Sequence, residues 1–333
     1  MSNDNFRIRK AISKDIEELN NVYHSITGFK RTSLQTKWEW FTNKKKLGWV
    51  IIFKNKIIGH HGYIEVPMIL NNKRFLILRT ENSMLLEQYR RKVPYFLIEK
   101  NILKQLRKKY KLFLTTAGKN APIDMRYRLG YEKLESWQIL IINNHILHKI
   151  NTLKKAFFFF KKKKIETKES ILKSSSYLMK IINLNPKLKV LCDEAKKNMK
   201  KNILSIYPSE KYFHWRFFIN PYHNYFSLIL NINESKKKIV IVWYEMAKSE
   251  NLYDIIIEYL SFPSELNLKD VLNKIALLFN HVKNCRLIYR KILTSDTERR
   301  NETHANLLAY FSDTSLKKYD IEIDSAARQG IHS

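Results

Sequence analysis

The sequence predicts an α/β protein of the α+β type, with mixed sheets, built as two lobes of one fold. Two observations carry that prediction. The hexapeptide WEWFTN (Trp38 to Asn43) returns as WRFFIN (Trp215 to Asn220), a spacing of 177 residues (215 less 38). Both copies read Trp, a charged residue, an aromatic, Phe, any residue, Asn. The same order of elements then follows each copy, which a chance six-residue match would not produce.

The elements run as follows. FRIRKAISKDIEELNNVYHSI opens the chain as a strand and a helix. After Asn43, WVIIFKNKIIGHHGYIEV is two β-branched runs around an Asn-containing turn, a hairpin. After Asn220, YFSLILNINESKKKIVIVWYEM repeats that pattern. FLILRTENSMLL then PYFLIEKNILKQLRKKY is strand then helix, and LYDIIIEYLSF then LNLKDVLNKIALLFNHV matches it. Both helical runs place apolar residues at i, i+3, i+4 spacing. KLFLTTAG and CRLIYRKIL add one more strand to each half. The predicted division is an N-terminal lobe at 1–149, a Lys/Phe-rich linker at 150–176, a C-terminal lobe at 177–324 and a polar tail at 325–333.

With 333 residues, each lobe is long enough to bury its own core. Hydrophobic residues at 44% and charged residues at 28% describe a soluble globular protein. MSNDNFRIRK lacks an apolar signal core, and no apolar run approaches the ~20 residues that span a bilayer. Cys192 and Cys285 have neither a disulfide framework nor metal-ligand spacing, so a reducing cytoplasm and no metal are expected. The net charge of +30 has two readings. One is compositional drift toward Lys, Asn and Ile. The other is a positive field that steers anions: coenzymes, nucleotide-linked substrates or an acidic membrane surface. Nucleic acid belongs on that list, but no zinc finger, ribonucleoprotein aromatic signature or helix-turn-helix is present. In the linker, AFFFF stands before KKKK. Its aromatics either pack between the lobes or form a reversible foot on an anionic membrane, where each basic residue contributes about 1 kcal/mol.

Between the fourth strand and the long helix of the first half lies EQYRRKVPYF, Glu87 to Phe96. A helix N-terminus presents unpaired N–H groups and a positive dipole end, a ready place for an anion. Arg90, Arg91 and Lys92 add charge there. The corresponding stretch of the second half, SFPSELNLKD, has no such cluster, and Glu265 and Asp270 would repel an anion.

With that turn in place, the first half resembles the GCN5-related N-acetyltransferases (GNAT). Strand and helix, hairpin, strand, basic turn, long helix and strand follow in the family's order. MRYRLGYEKLE resembles its closing helix end and final strand. The paired Trp/Asn segments resemble tandem GNAT proteins, including members associated with surface-polysaccharide biosynthesis. In that family the turn after the fourth strand holds the pyrophosphate of an acyl coenzyme A, and in many tandem members it reads Tyr-Arg-Gly-Lys-Gly-Ile-Phe. Here Tyr89, Arg90 and Lys92 match, Tyr95 replaces an aromatic, and Arg91 and Val93 stand where the two glycines would be. Val93 is the serious departure, because a branched side chain would crowd a pyrophosphate and disfavours positive φ. Pro94 suits the first helical position. The arginines would compensate through their side chains. The resemblance thus assigns acyl-coenzyme A to Tyr89, Arg90, Arg91, Lys92, Val93, Pro94 and Tyr95. Asn120 is expected on the pantetheine arm, with a plain turn residue as its alternative.

Acyl transfer to an amine needs a base, a polarised carbonyl and an acid for the leaving thiolate. The resemblance points to Glu81, on the fourth strand, as base, with Glu65 as a second candidate. Asn82 stands where tandem relatives commonly place Asp. The family's thiolate acid is often a Tyr four residues before the closing glycine. Relative to Gly130, Arg126 holds that place, and Tyr127 is the nearest tyrosine. Against each stands a structural role: a salt-bridged strand carboxylate for Glu81 and Glu65, a packed helix aromatic for Tyr127. His60 and His61 are adjacent on the hairpin. They point to opposite faces of a strand, which argues against a metal, and a surface histidine is the ordinary reading.

The expected function is therefore transfer of an acetyl or other short acyl group from acyl-CoA to an amine, an amino sugar on a nucleotide or lipid carrier being one candidate. The C-terminal lobe is expected to be non-catalytic. Two alternatives stand beside this: a non-catalytic binding or scaffold protein on a degenerate GNAT fold, and an aminoacyl-tRNA-dependent transferase, which the +30 charge would suit.

Overall fold

The structure, a computed structural model, describes residues 6–42, 47–117, 123–143, 171–172, 179–231, 238–249, 252–279, 285–293 and 302–324. In the first half β1 (Phe6–Lys10), α1 (Ile16–Thr27) and α2 (Ser33–Trp40) precede a meander of β2 (Gly48–Phe53), β3 (Lys56–Leu70) and β4 (Lys73–Leu85). Then come α3 (Tyr95–Leu106), β5 (Leu112–Ala117), α4 (Ile123–Arg128) and β6 (Glu132–Asn143). Local chemistry accounts for the joints. Lys54 and Asn55 have φ of 46° and 63°, and Asn71 and Asn72 have 48° and 66°. Two successive left-handed residues make the tight hairpin turn whose twist matches the strands, and Asn tolerates it. The Thr32 hydroxyl accepts the Gln35 N–H while the Gln35 side chain accepts the Thr32 N–H, a reciprocal cap that starts α2.

The second half repeats this order. It has β7 (Ile171–Leu172), β8 (Met179–Leu184), α5 (Leu188–Lys197), β9 (Ile203–Ile206) and α6 (Glu210–Phe213), which runs into a wide turn at His214–Phe218. After these follow β10 (Tyr225–Asn231), β11 (Lys238–Ser249), β12 (Leu252–Ser261), α7 (Leu268–Leu278), β13 (Cys285–Leu293), β14 (Glu302–Phe311) and β15 (Asp320–Asp324). The expected hairpins, strands and long helices are all present. The sequence pattern does not predict β8 and α5, which mirror β1 and α1, nor β14, nor the short β9 and β15.

One sheet runs through both halves in the order β1-β2-β3-β4-β5-β14-β6-β13-β12-β11-β10-β8-β7. In each half the strands before and after the long helix are parallel: β4 with β5, and β12 with β13. The halves also exchange strands. β14 lies between β5 and β6, antiparallel to both, and β6 pairs with β13. The lobes are thus completed by each other's chain. The two repeat tryptophans meet where the lobes touch. Trp38 and Trp215 stack with ring centroids 4.8 Å apart and planes 13° apart. The Trp38 indole N–H donates to the Trp215 carbonyl at 2.9 Å, and the Trp215 indole N–H donates back to the Trp38 carbonyl at 3.2 Å. Such reciprocity is the signature of a two-fold contact between like surfaces.

Candidate active site

The parallel pair β4–β5 holds only at Leu78↔Phe113 and Arg79↔Leu114. Beyond it the strands part, and β4 bulges: its pairing with β3 skips between Met84 and Glu81, and Asn82 takes φ 50°. The parted strands open a V at the N-terminus of α3, with the basic turn at its mouth.

Within that turn Arg90, Arg91, Lys92 and Pro94 are exposed, whereas Val93 is buried among Trp49, Ile98 and Leu103. Neither Arg91 nor Val93 has a positive φ. The crowding expected from Val93 is therefore absent, because its side chain faces the core and not the mouth. The backbone pays instead: the Lys92 and Val93 N–H groups both donate to the Tyr89 carbonyl, and the Tyr95 N–H donates to the Val93 carbonyl across Pro94. Pro94, with φ −77° and ψ 62°, is the residue before α3, one position earlier than expected. Tyr89 packs on Phe53, and Tyr95 turns inward.

Tyr95 leads to a buried polar cluster under α3. His61 Nδ1 is 2.7 Å from the Tyr95 hydroxyl and 2.9 Å from Ser83 Oγ. Tyr63, Thr80 and Tyr131 surround it, with an ion pair between Arg126 of α4 and Glu99 of α3. Burial, with the Arg126 charge second, pushes His61 well below its usual range, so the imidazole is neutral. Burial pushes Tyr63, Tyr95 and Tyr131 up. His61 Nε2 is buried without a hydrogen-bond partner among the described residues, and the buried Tyr63 and Tyr131 hydroxyls and Thr80 Oγ1 have only one another and Arg126. Native structures hold few such groups, and a concentration of them marks a place to explain. Arg126 enters the V, while Tyr127 is 44% exposed on the outer side of α4. Asn120 lies outside the described residues.

The opposite face of the V is lined by charge. Glu81 pairs with Arg79 at 3.0 Å, and Arg79 Nη2 donates to Thr116 Oγ1 at 2.8 Å. Asn82 Nδ2 donates to Glu39 Oε2 at 3.3 Å, and His60 Nδ1–H donates to the Asn82 carbonyl at 3.0 Å. Glu39, from the first Trp repeat, is wholly buried. Its Oε2 pairs with Arg31 at 2.8 Å and its Oε1 accepts the Tyr222 hydroxyl of the other lobe. Burial raises Glu39 to about 7 against the pull of Arg31. Burial lowers His60 to about 4. Glu39 also lines a small cleft with Trp40, Leu47, Tyr63 and Trp215. At the matching place in the second repeat, Arg216 pairs with Glu258 and donates to the Tyr225 hydroxyl at 3.2 Å.

Four of the expected site features gather here: the basic turn, Glu81, Asn82 and the two histidines. His60 and His61 do face opposite sides, but both are buried, not surface residues. Glu65 is elsewhere. It sits opposite Leu78, before the strands part, and accepts the Tyr110 hydroxyl. Arg31, Glu39, Glu99 and Tyr131 had not been singled out. Glu39 alone left a trace, since it lies inside the repeat where the sign of charge differs between copies.

In the C-terminal lobe the equivalent V is filled. β12 pairs with β13 from Tyr253↔Cys285 to Ile257↔Tyr289, and beyond that β15 takes the vacated edge at Lys291, Ile292 and Leu293. β15 in turn joins β9, which joins β3. Among the described residues no strand enters between β4 and β5.

No family model and no curated protein sequence matches this chain. Solved structures do match. A conserved protein of unknown function from Enterococcus faecalis V583, described as a probable N-acyltransferase, aligns with a TM-score of 0.63 and 12% identity, over 93% of this chain and 73% of that one. A GCN5-related N-acetyltransferase from Kribbella flavida aligns with a TM-score of 0.57 and 10% identity, over 94% and 72%. N-myristoyltransferase of Saccharomyces cerevisiae, with bound myristoyl-CoA and inhibitors, gives 0.54 and 12%, over 94% and 81%. At such identities the likeness is one of fold. The chain is a mixed α/β protein with the GCN5-related N-acetyltransferase fold written twice, in an arrangement that N-myristoyltransferase shares.

Proposed function

We propose that the protein is an N-acyltransferase whose N-terminal lobe takes an acetyl or other short acyl group from acyl-coenzyme A and passes it to an amine, an amino sugar on a nucleotide or lipid carrier being the class the sequence resemblance suggests. One observation carries this reading: among the described residues no strand enters the N-terminal V, which has three exposed cations at its mouth, while the C-terminal V is filled by β15. The C-terminal lobe, 177–324, would then serve structure and acceptor binding. The neighbours that bind myristoyl-CoA or carry N-acyltransferase descriptions support the donor class.

In this reading the pyrophosphate rests on Arg90, Arg91 and Lys92, with side-chain charge replacing amides already spent inside the turn. The thioester lies along β4 at the bulge. Glu81, paired with Arg79, receives the ammonium proton, directly or through water. The amine nitrogen bonds to the acyl carbon, the C–S bond breaks, and the thiolate leaves toward the Arg126 cation, with Tyr127 next to it as proton source after a side-chain turn.

Calorimetric titration of the full chain with acetyl-coenzyme A, beside adenosine 3′,5′-bisphosphate, tests this. Micromolar binding of the coenzyme is the expected result. No binding at millimolar ligand overturns it.

A second reading has one observation of its own. With the Lys92, Val93 and Tyr95 amides bonded within the turn, little backbone is left for a pyrophosphate. An aminoacyl-tRNA donor would not need it, and its affinity would fall steeply with salt.

A further inference from the structure

Arg31 lies on the loop between α1 and α2, and its side chain is 3% exposed. The guanidinium stacks 3.5 Å over the Tyr23 ring. Nη1 donates to Glu39 at 2.8 Å, while Nε and Nη2 have no hydrogen-bond partner among the described residues. Those two nitrogens form the side-on edge of the guanidinium, the edge that pairs with a carboxylate or phosphate through two parallel bonds. Leaving charged donors buried and unpaired is costly, more so than for neutral ones. The open edge therefore points to an oxyanion.

Its surroundings narrow the ligand further. Glu39 stands beside Arg31 with Tyr222 of the other lobe on one oxygen, and with Asn82 of the β4 bulge on the other. The other buried cations of this seam are engaged: Arg79 with Glu81, and Arg216 with Glu258. Side by side, then, stand a carboxyl group whose oxygens can accept from an ammonium and a cation whose bidentate edge is open among the described residues. They lie next to the point where the acyl group would be delivered.

We infer that the acceptor is a zwitterionic amine, one that carries a carboxylate or phosphate a few bonds from its nitrogen. Its oxyanion accepts from Arg31 Nε and Nη2, and its ammonium donates to Glu39. A neutral sugar amine or a simple alkylamine leaves the Arg31 edge unmade. The word acceptor rests on the acyl-transfer reading; the binding itself requires no coenzyme, so it is tested without one.

The experiment is calorimetry on the full chain with two matched pairs of probes: glucosamine 6-phosphate against glucosamine, and glycine against ethanolamine. The expected result is that the oxyanion member of at least one pair binds roughly ten- to a hundredfold more tightly, as a charge-assisted pair of bonds predicts. The pair that responds tells phosphate from carboxylate. Arg31→Met removes the preference, and Arg31→Lys, which keeps the charge but loses the fork, removes most of it. Circular dichroism confirms folding, and the Lys variant decides alone should the Met variant unfold. Equal affinities within both pairs, no binding by any probe, or a preference that survives in the folded Arg31 variants overturns the inference. That last outcome would place the anion on the basic turn instead. Failure of acetyl-coenzyme A to bind would leave this result standing, and the reverse also holds.

Discussion

Beneath α3 the N-terminal lobe buries His61, Tyr63, Thr80, Tyr131 and the Arg126–Glu99 pair. Beneath α7 the C-terminal lobe buries Ile255, Ile257, Leu272, Ile275 and Leu287. The sheets, the helix positions and the parallel strand pair are the same, so the fold requires none of those polar groups. An apolar filling is the cheaper one, since buried ion pairs seldom beat well-packed hydrophobic residues. The same contrast recurs at the strand ends, where among the described residues no strand enters one V and β15 enters the other. A pair of lobes that share a fold thus acts as its own control: what one retains at a cost and the other lacks belongs to chemistry, because stability does not ask for it.

The largest effect should come from breaking that contrast. Arg126→Met leaves the Glu99 carboxyl buried without its ion-pair partner, and should cost about 3–5 kcal/mol in urea denaturation. Adding Glu99→Met makes the N-terminal filling resemble the C-terminal one, and should recover most of the loss while abolishing acyl transfer. A double variant as unstable as the single would show that the polar filling is structural, and the contrast between lobes would lose its meaning.

Next in size is the turn. Replacing Arg90, Arg91 and Lys92 together by Ala should weaken acetyl-coenzyme A by about a hundredfold in calorimetry, since each is offered as a charge-assisted phosphate contact. Glu265→Ala with Asp270→Ala, at the matching turn of the C-terminal lobe, should leave that affinity unchanged. An equal loss from both sets would mean that only net charge matters.

These two tests rest on features of very unequal visibility in the sequence. Periodicity and the Trp repeat made the elements of both halves readable, because hairpins, amphipathic helices and turn asparagines are local. The strand exchange was not readable. β14 pairs with β5 across more than half the chain, and no local pattern says which lobe's edge a strand will join. The site was half legible for the same reason. Charges at Arg90, Arg91 and Lys92 stand out in any reading, but the cost assigned to Val93 depended on which way one side chain points. Glu39 and Arg31 look like ordinary helix and loop charges until tertiary packing removes their solvent. Burial, not identity, makes them unusual.

Acid sensitivity separates the groups on the two faces of the N-terminal V. His60 is depressed from 6.5 to about 4, so its contribution is fully present above pH 6.5 and lost as pH falls through 4. That is about 2 kcal/mol between pH 6.5 and pH 5, at 1.36 kcal/mol per unit. Glu39 acts in the opposite sense: raised from 4.5 to about 7, it stabilises below pH 4.5 and loses that effect as pH rises through 7. Calorimetric melting from pH 4 to 8 should therefore show a steeper rise with pH in Glu39→Gln than in the native protein, and a flatter one in His60→Gln. Unchanged slopes in both variants would mean that neither group is shielded from solvent in solution.

The smallest effect is at the bulge. β4 and β12 both bulge, at Asn82 and at Glu258, yet only Asn82 takes a positive φ. Asn is there because it tolerates the left-handed region and its amide also reaches Glu39. Glycine meets the first need and not the second. Asn82→Gly should therefore change stability by no more than about 0.5 kcal/mol, the relief of φ strain offsetting a long hydrogen bond. Asn82→Val, which can meet neither need, should cost more than Asn82→Gly in the same urea titration. If the two variants prove equally stable, side-chain contacts and not backbone preference hold β4 in its bulge, and the difference between the two strands lies in what surrounds them.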